Sequence, residues 1–400
     1  MGDKSVLTAP EFEQRLLKFT RERLAAPEVA NEITVDTRLF EDRVIDSLKV
    51  LELIAFVQSV LGRKIPDAQI VLANFRSITT IARFVTKGEA AVIKRTRRRG
   101  RPIGAGNGNS YRAHGSSGVR ELIARGEMEL TPDGGLLMRG AVASLCDYLD
   151  STVRGWALEL GATEETFPAE IPIATLERAG FMTAFPDKLV QVDGPRTSGQ
   201  VPSLRESARP PAVCYHHYPS FSETTLSDRG SIVTALGRCY RNEHDTSSLC
   251  PEERLAAFTM REIIAVGNDR LVERLRSGLM QRVALWMKEL ALEGVIETAM
   301  DPFFTSETRG RMLMQRILPL KYELRLRVGA DGRSVAAASF NNHEQHFGRA
   351  FSIRLPSGEY AHSGCVAFGW ERWVIAFANQ HGPNEENWPF SLGSRYVAAI

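Results

Sequence analysis

Cysteine is scarce in this chain, with five residues in 400, at positions 146, 214, 239, 250 and 365. No two of them form a CxxC pair, and so sparse and scattered a set excludes a disulfide scaffold. In a reducing compartment each cysteine is expected to be either a buried apolar residue or a metal ligand. Spacing alone does not distinguish these roles.

The chain also lacks a long apolar run and a strong charge of either sign. No stretch is long enough to cross a bilayer, and residues 1–18 alternate charged and apolar side chains without the apolar segment of a secretory signal. The net charge of +2 gives no reason to expect a nucleic-acid or membrane binder from bulk electrostatics. We expect a cytoplasmic protein without a membrane partner.

Residues 1–88 have the pattern of a small helical module. Apolar residues recur at helical spacing in 11–24 and 48–61. A Ser/Thr start signal predicts a further short helix over 77–86. This part of the chain is therefore predicted to be a helical bundle.

The composition changes between 89 and 118. Residues 94–101 hold six basic side chains in eight positions, and residues 102–118 are rich in Gly, Ser and Asn. Such a segment buries too little apolar surface to order itself, which predicts a flexible linker. Transient contact of the basic run with an anionic partner such as RNA is the alternative.

Residues 119–400 have a mixed pattern. Helical periodicity covers 141–160 and 270–292, and strand-like alternation covers 231–240, 321–328 and 350–355. Clustering of this kind predicts an α+β domain whose antiparallel sheet is flanked by helices.

Ser47 lies in an Asp-Ser-Leu triplet where a loop meets the second helix of the N-terminal module. A hydroxyl at a helix N-terminus lies near free N–H groups that favour a phosphate. Taken alone, a serine at such a position is more often an ordinary N-cap, whose hydroxyl satisfies a backbone N–H. In a helical module of this size, the triplet resembles an acyl or peptidyl carrier protein. That resemblance implies 4'-phosphopantetheine on Ser47, attached by a phosphopantetheinyl transferase.

A second set of functional candidates consists of arginines near the ends of predicted strands. Arg241 and Glu243 lie at the end of one predicted strand, and Arg254 and Phe258 lie where the next one begins. If the two strands form a hairpin, these four residues surround one pocket. Guanidinium groups bind phosphate in a bidentate manner, and a phenyl ring stacks on a purine. Arg372 follows Gly369 at the start of an apolar helix and adds a further cationic group.

These segments resemble motifs 2 and 3 of class II aminoacyl-tRNA synthetases. More closely, residues 120–390 resemble the amino acid:[carrier protein] ligases, which are truncated homologues of the seryl-tRNA synthetase of methanogens. The matching segments are 214–215, 258–262, 301–304, 320–323, 339–343 and 361–365. The resemblance implies a class II synthetase-like fold for 119–400. In that family the carrier is usually a separate protein, whereas here the module at 1–88 is expected to be a fused carrier domain.

The resemblance also implies a role for each matched residue. Arg241 would bind the α-phosphate of ATP and the substrate carboxylate, and Glu243 and Phe258 would hold the adenine end. Arg254 and Arg372 would hold the outer phosphates, with Mg²⁺ shared between phosphates and acidic residues. Two features depart from the family pattern: a longer loop between Glu243 and Arg254, and an alanine at 256.

A zinc site is implied by the same resemblance. Cys214, Glu262 and Cys365 match the three zinc ligands of the family, although a cysteine taken singly is more often a buried small apolar residue. Two thiolates and a carboxylate leave a fourth zinc position open, which we expect to take the neutral amino group of the substrate, with Asp301 accepting a hydrogen bond from it. His343, His346 and His362 are expected to have pocket or structural roles.

The expected reaction joins a small amino acid to a carrier-protein thiol. The amino-acid carboxylate attacks the α-phosphorus of ATP, and the pantetheine thiol on Ser47 then attacks the aminoacyl-adenylate, in cis or across a homodimer. One alternative is a true aminoacyl-tRNA synthetase, which we do not favour because no coiled-coil arm or anticodon-binding module is visible. The other is an inactive synthetase-like scaffold.

Overall fold

The computed structural model describes residues 8–40, 42, 44–45, 49–66, 69–87, 117–192, 207–243, 255–299 and 320–390. The chain divides into two compact units, the first containing 8–87 and the second containing 117–297 and 322–390. Among the described helices, none is both long enough and apolar enough to span a membrane. The predicted linker lies almost wholly outside the described residues.

The first unit is helical in its described residues. Its helices are α1 (Ala9–Phe19), α2 (Lys49–Leu61), α3 (Leu72–Phe75) and α4 (Ile78–Lys87), with a π-helical turn, Thr20–Leu24, directly after α1. Thr8 and Glu11 form a capping box that starts α1. Phe12, Leu53 and Ile81 are fully buried in the core between these helices. The helices predicted over 11–24, 48–61 and 77–86 are all present.

The second unit is built on a seven-stranded sheet, and this confirms the predicted α+β class. The strands lie in the order β3-β7-β8-β12-β11-β10-β9, and the pairs at its centre are antiparallel. Their bounds are β3 Thr163–Glu164, β7 Ser231–Tyr240, β8 Ala257–Gly267, β9 Gly294–Thr298, β10 Lys321–Arg327, β11 Ser334–Glu344 and β12 His362–Gly369. β3 pairs in parallel with β7.

Three long helices cover one face of this sheet. They are α6 (Gly140–Glu159), α9 (Asp269–Glu289) and α11 (Trp370–His381). Ile263 and Ala265 of β8 point to this face and join Val283, Trp286 and Trp373 in the largest apolar core. Since side chains alternate along a strand, the neighbouring residues of β8 point to the opposite face. That opposite face carries the candidate site.

Shorter elements complete the unit. They are the helices α5 (Ser117–Ala124), α7 (Ile173–Arg178), α8 (Phe181–Ala184) and α10 (His346–Ala350), the hairpin β1 (Met128–Leu130) with β2 (Leu136–Met138), and a three-stranded sheet of β4 (Ile171–Pro172), β6 (Ser207–Arg209) and β5 (Val190–Val192). The periodicity of the sequence predicted neither of the two small sheets.

The predicted strand at 350–355 is wrong. Ala350 is the last residue of α10, and Ser352 has a positive φ of 56°, which does not fit a strand. Phe351 and Ile353 are buried as the alternation suggested, but Arg354 makes isolated bridges to Thr225 and Tyr360 and joins no named strand.

Candidate functional site

The sheet register brings two of the predicted metal ligands together. Cys365 of β12 lies opposite Ile264 of β8, and Glu262 is two residues further along β8, opposite Ala367. Residues two apart on a strand share a face, so Glu262 and Cys365 are diagonal neighbours on the face away from the long helices. Both residues are buried, at 1% and 4% exposure.

The third predicted ligand comes from a 3-10 helix, Val213–His216, that packs over this face. The Val213 N–H donates to Glu262 Oε1 at 2.8 Å, which fixes the helix above the carboxylate. Gly237 of β7 permits the approach, because a Cβ there would lie 3.1 Å from Val213 Cγ2. Cys214, the next residue, is thereby placed beside Glu262 and Cys365.

The three ligand atoms form a compact donor set. The two Sγ atoms and a carboxylate oxygen of Glu262 all lie within 4.8 Å of one another, and no other metal-ligand cluster occurs in the described ranges. Glu262 Oε2 is buried and accepts no hydrogen bond from any residue that the structure describes. Two thiols and an unsatisfied carboxylate oxygen fit a zinc ion, which takes sulfur and oxygen ligands.

The pKa values of the three donor groups are those of acidic groups that need a bound cation to become charged. Burial raises the pKa of the Glu262 carboxyl, and a hydrogen bond to Cys365, together with burial, raises the pKa of the Cys214 thiol. Three acidic groups in one apolar pocket disfavour each other's charged forms. A divalent cation reverses this preference, since thiolates and carboxylates are the forms that bind metal.

Polar residues of β11 surround Cys365. Asn341 lies directly opposite Cys365 in the strand pairing, and its Nδ2 is 3.4 Å from Cys365 Sγ and 3.0 Å from Ser339 Oγ. His343 Nε2 is 3.8 Å from Cys365 Sγ, while its Nδ1 is 3.3 Å from the hydroxyl of Tyr218.

The other two histidines are placed apart from the donor set. His346 Nε2 donates to the Ala179 carbonyl at 2.9 Å, and His362 Nδ1 lies 3.8 Å from Asp269 Oδ1. Among the described residues, none of the three histidines belongs to the metal-ligand cluster.

The predicted nucleotide residues Arg241 and Phe258 lie together on the same face of the sheet. The Arg241 guanidinium carbon is 5.1 Å from the centre of the Phe258 ring, and Arg241 Nε donates to the Pro211 carbonyl at 3.1 Å. Glu243 lies two residues beyond Arg241, and its Oε2 accepts a hydrogen bond from Lys188 Nζ at 2.8 Å. A permanent cation beside an aromatic ring suits both a phosphate and a purine.

Arg372 lies in the first turn of α11, where its Nη1 donates to the Ala336 carbonyl at 2.9 Å. The preceding residue, Glu371, is buried and accepts the Thr259 N–H with both carboxylate oxygens, at 2.8 and 2.9 Å. This contact fixes the start of α11 against the beginning of β8. Burial raises the pKa of Glu371.

Three predicted residues, Ser47, Arg254 and Asp301, lie outside the described residues. Two residues of the site were not predicted. Asn341 was noted only as part of a matching segment, and Lys188 has no distinguishing motif in the sequence. The local sequence does not predict the position of either residue. Asn341 is placed by strand pairing with Cys365, and Lys188 is placed by its tertiary contact with Glu243.

Comparison with known proteins gives two kinds of relative. No protein-family model matches the sequence. Amino acid–[acyl-carrier-protein] ligase 1 of Bradyrhizobium diazoefficiens is 30% identical over 251 residues, which are 58% of this chain and 75% of that protein. The type-2 serine–tRNA ligase of Methanopyrus kandleri is 26% identical over 309 residues, covering 68% of this chain and 56% of that protein.

A solved structure shows the same fold. The seryl-tRNA synthetase of M. kandleri, in complex with tRNASec of A. aeolicus, superposes with a TM-score of 0.61 at 21% identity. The superposition covers 81% of this chain and 68% of the synthetase. The antiparallel sheet with flanking helices is therefore that of class II aminoacyl-tRNA synthetases.

Proposed function

Since this chain belongs to the family of amino acid–[acyl-carrier-protein] ligases, we propose that it activates a small amino acid with ATP and transfers it to the phosphopantetheine thiol of a carrier protein. The observation that carries the proposal is the buried set of Cys214, Glu262 and Cys365 on the sheet face that also holds Arg241 and Phe258. An amine-binding site and a phosphate-binding site on one face suit amino-acid activation.

In the first half-reaction, a carboxylate oxygen of the amino acid attacks the α-phosphorus of ATP and pyrophosphate leaves. Arg241 binds the α-phosphate and the carboxylate, and Arg254 and Arg372 hold the outer phosphates together with Mg²⁺. Glu243 and Phe258 hold the adenine. Catalysis then comes mostly from positioning and from charge stabilisation by the guanidinium groups.

Cys214, Glu262 and Cys365 would hold a zinc ion. When bound, the ion supplies a Lewis-acid position for the neutral amino group of the substrate. Asp301 accepts a hydrogen bond from that amine. The pocket thereby selects an α-amine and leaves the carboxylate directed towards Arg241.

In the second half-reaction, the pantetheine thiolate attacks the carbonyl carbon of the aminoacyl-adenylate. The bond to the phosphate oxygen breaks, AMP leaves and a thioester forms. We propose that the thiol is carried by Ser47 of the same chain or of a second copy in a homodimer. Support comes from the helical first unit and from the position of the Asp-Ser-Leu triplet directly before α2. A tether raises the effective concentration of the thiol, to millimolar for a suitable span.

tRNA is the alternative acceptor, because type-2 serine–tRNA ligases are also similar to this chain. One experiment distinguishes the acceptors. The protein is treated with coenzyme A, a phosphopantetheinyl transferase, ATP and an amino-acid mixture, and the intact chain is weighed. We expect a mass gain of 4'-phosphopantetheine plus one aminoacyl group that is absent in Ser47→Ala.

A separate exchange assay isolates the first half-reaction. Amino-acid-dependent exchange of pyrophosphate into ATP is expected for a small amino acid, with or without Ser47. Absence of exchange with every amino acid would contradict the proposal and support an inactive scaffold. Exchange accompanied by charging of tRNA, but not of a carrier, would support the tRNA acceptor.

A further inference from the structure

Lys188 makes a close ion pair with a residue of the proposed nucleotide site. Its Nζ lies 2.8 Å from Glu243 Oε2, and the two side chains are only 25% and 17% exposed. Most exposed ion pairs contribute little because water screens them. A largely buried pair is screened less, so the ammonium strongly restricts where the carboxylate can lie.

A second contact ties the same residue to the main chain of the site. The Lys188 carbonyl accepts the N–H of Asn242 at 3.1 Å, one residue before Glu243. Lys188 therefore holds both the backbone and the side chain of this short segment. Arg241 is also fixed, through the Pro211 carbonyl. Each of the three residues 241–243 therefore has a hydrogen bond that restrains its position.

Lys188 lies on an element outside the main sheet. It ends a 3-10 helix, Pro186–Lys188, and stands just before β5 of the three-stranded sheet. Among the described residues, the only ion pair of Lys188 is with Glu243. A lysine that served only solubility would extend into water, whereas this one is turned inward onto a carboxylate of the site.

We propose that Lys188 is a positioning residue for ATP: it holds the Glu243 carboxylate in the place where that group contacts the adenine end of the nucleotide. This inference rests on the proposed function, in which Glu243 binds adenine. The small three-stranded sheet, whose strand β5 follows Lys188, is thereby linked to nucleotide affinity. Adenine contacts are made equally in the ground state and the transition state, so the effect appears in the KM for ATP.

The test is a double-mutant cycle on pyrophosphate exchange, using Lys188→Met and Glu243→Gln in the full chain. Methionine matches the unbranched apolar stem of lysine and removes only the terminal ammonium group. We expect Lys188→Met to raise the KM for ATP roughly tenfold, the size of one lost charge-assisted hydrogen bond. The kcat and the KM for the amino acid should not change. Lys188→Arg should recover part of the affinity.

The cycle separates positioning from other roles. If Lys188 acts through Glu243, Lys188→Met should have little further effect in the Glu243→Gln background. Equal effects in both backgrounds, or a lower KM in Lys188→Met, would overturn the inference. Asp187→Asn, an exposed change on the same 3-10 helix, is the matched control and should match wild type in both KM and thermal midpoint.

Failure of the proposed function and failure of the role of Lys188 give different results in this cycle. A wild-type protein without exchange, or Glu243→Gln with wild-type KM for ATP, would contradict the proposed function itself. A raised KM in Glu243→Gln beside an unchanged KM in Lys188→Met would contradict only the role of Lys188.

Discussion

The Arg261 guanidinium forms two parallel hydrogen bonds with the Asp150 carboxylate, Nε to Oδ1 at 2.6 Å and Nη2 to Oδ2 at 2.8 Å. Arg261 is 2% exposed, and the indole N–H of Trp370 donates to the same carboxylate at 2.8 Å. Arg261 immediately precedes Glu262 in β8, and the two side chains leave opposite faces of the sheet. Arg261 therefore fixes α6 to the sheet through Asp150, and the same carboxylate holds Trp370 at the start of α11. Its neighbour Glu262 faces the candidate metal site.

We expect Asp150→Asn to reduce the free energy of unfolding by about 2–3 kcal/mol, because it removes the nearer counter-charge of a buried guanidinium and leaves the longer contact of Arg261 Nη1 with Glu164 Oε1 at 3.4 Å. Denaturant unfolding followed by circular dichroism measures the loss. Glu129→Gln breaks the exposed pair with Arg139 and serves as the control, with an expected loss below about 1 kcal/mol. An equally small loss for Asp150→Asn would contradict the structural role of the pair.

Much of the fold was predictable because its signals are local. The strand at 231–240 was predicted with the bounds that β7 has, since its apolar pattern is continuous. The prediction of a strand at 350–355 failed because the alternation of apolar and polar residues there comes from the end of a helix followed by a turn, in which Ser352 has positive φ. The strand order β3-β7-β8-β12-β11-β10-β9 depends on contacts between distant segments, and periodicity carries no information about it.

The candidate site was predictable only by resemblance. Cys214, Glu262 and Cys365 share no local spacing, and their meeting depends on the register that places Cys365 opposite Ile264. The sequence around Lys188 gave no signal, because its contact with Glu243 joins the end of a short 3-10 helix to a segment 55 residues away in the sequence. Side-chain chemistry can thus be read from a sequence, but tertiary proximity without a motif cannot.

His381 gives the fold a pH dependence away from the site. Burial lowers its pKa below the usual 6.5, although its hydrogen bond to the Leu290 carbonyl acts in the opposite direction. The unfolded chain then binds more protons than the native one, so stability is complete above pH 6.5 and decreases as pH falls towards the folded pKa. His381→Gln should reduce this decrease between pH 7 and 5. Parallel stability profiles of the two proteins would contradict the assignment.

Glu262→Ala should remove bound zinc and abolish pyrophosphate exchange, because the ion loses one of three protein ligands. Zinc content is measured by atomic emission after dialysis, beside exchange activity. Glu165→Gln, which changes an acidic residue paired with His217 outside the cluster, is the control and should retain its zinc. A fully active, zinc-free Glu262→Ala protein would exclude the metal assignment.

Arg241→Ala should reduce kcat for exchange by roughly 10²–10³, the usual cost of removing one group that stabilises transition-state charge. Arg241→Lys should lie between this variant and wild type, because an ammonium keeps the charge and loses the bidentate geometry. Steady-state exchange at saturating ATP measures both. Arg120→Ala, an exposed change on α5, should have wild-type kcat, and a similar loss there would point to a general folding defect.

Asn341→Ala should weaken metal binding without removing a ligand. The Asn341 amide donates to Cys365 Sγ at 3.4 Å, and hydrogen bonds to ligand atoms orient them, so their loss commonly costs about 10–100-fold in affinity. Chelator competition measures the affinity, and substitution with Co²⁺ reports the thiolate through its charge-transfer absorption. We expect weaker binding and a shifted band in Asn341→Ala, with Asn341→Gln recovering part of both if its longer amide reaches the sulfur. Unchanged affinity and an unchanged spectrum in Asn341→Ala would show that Cys365 holds its orientation without the amide.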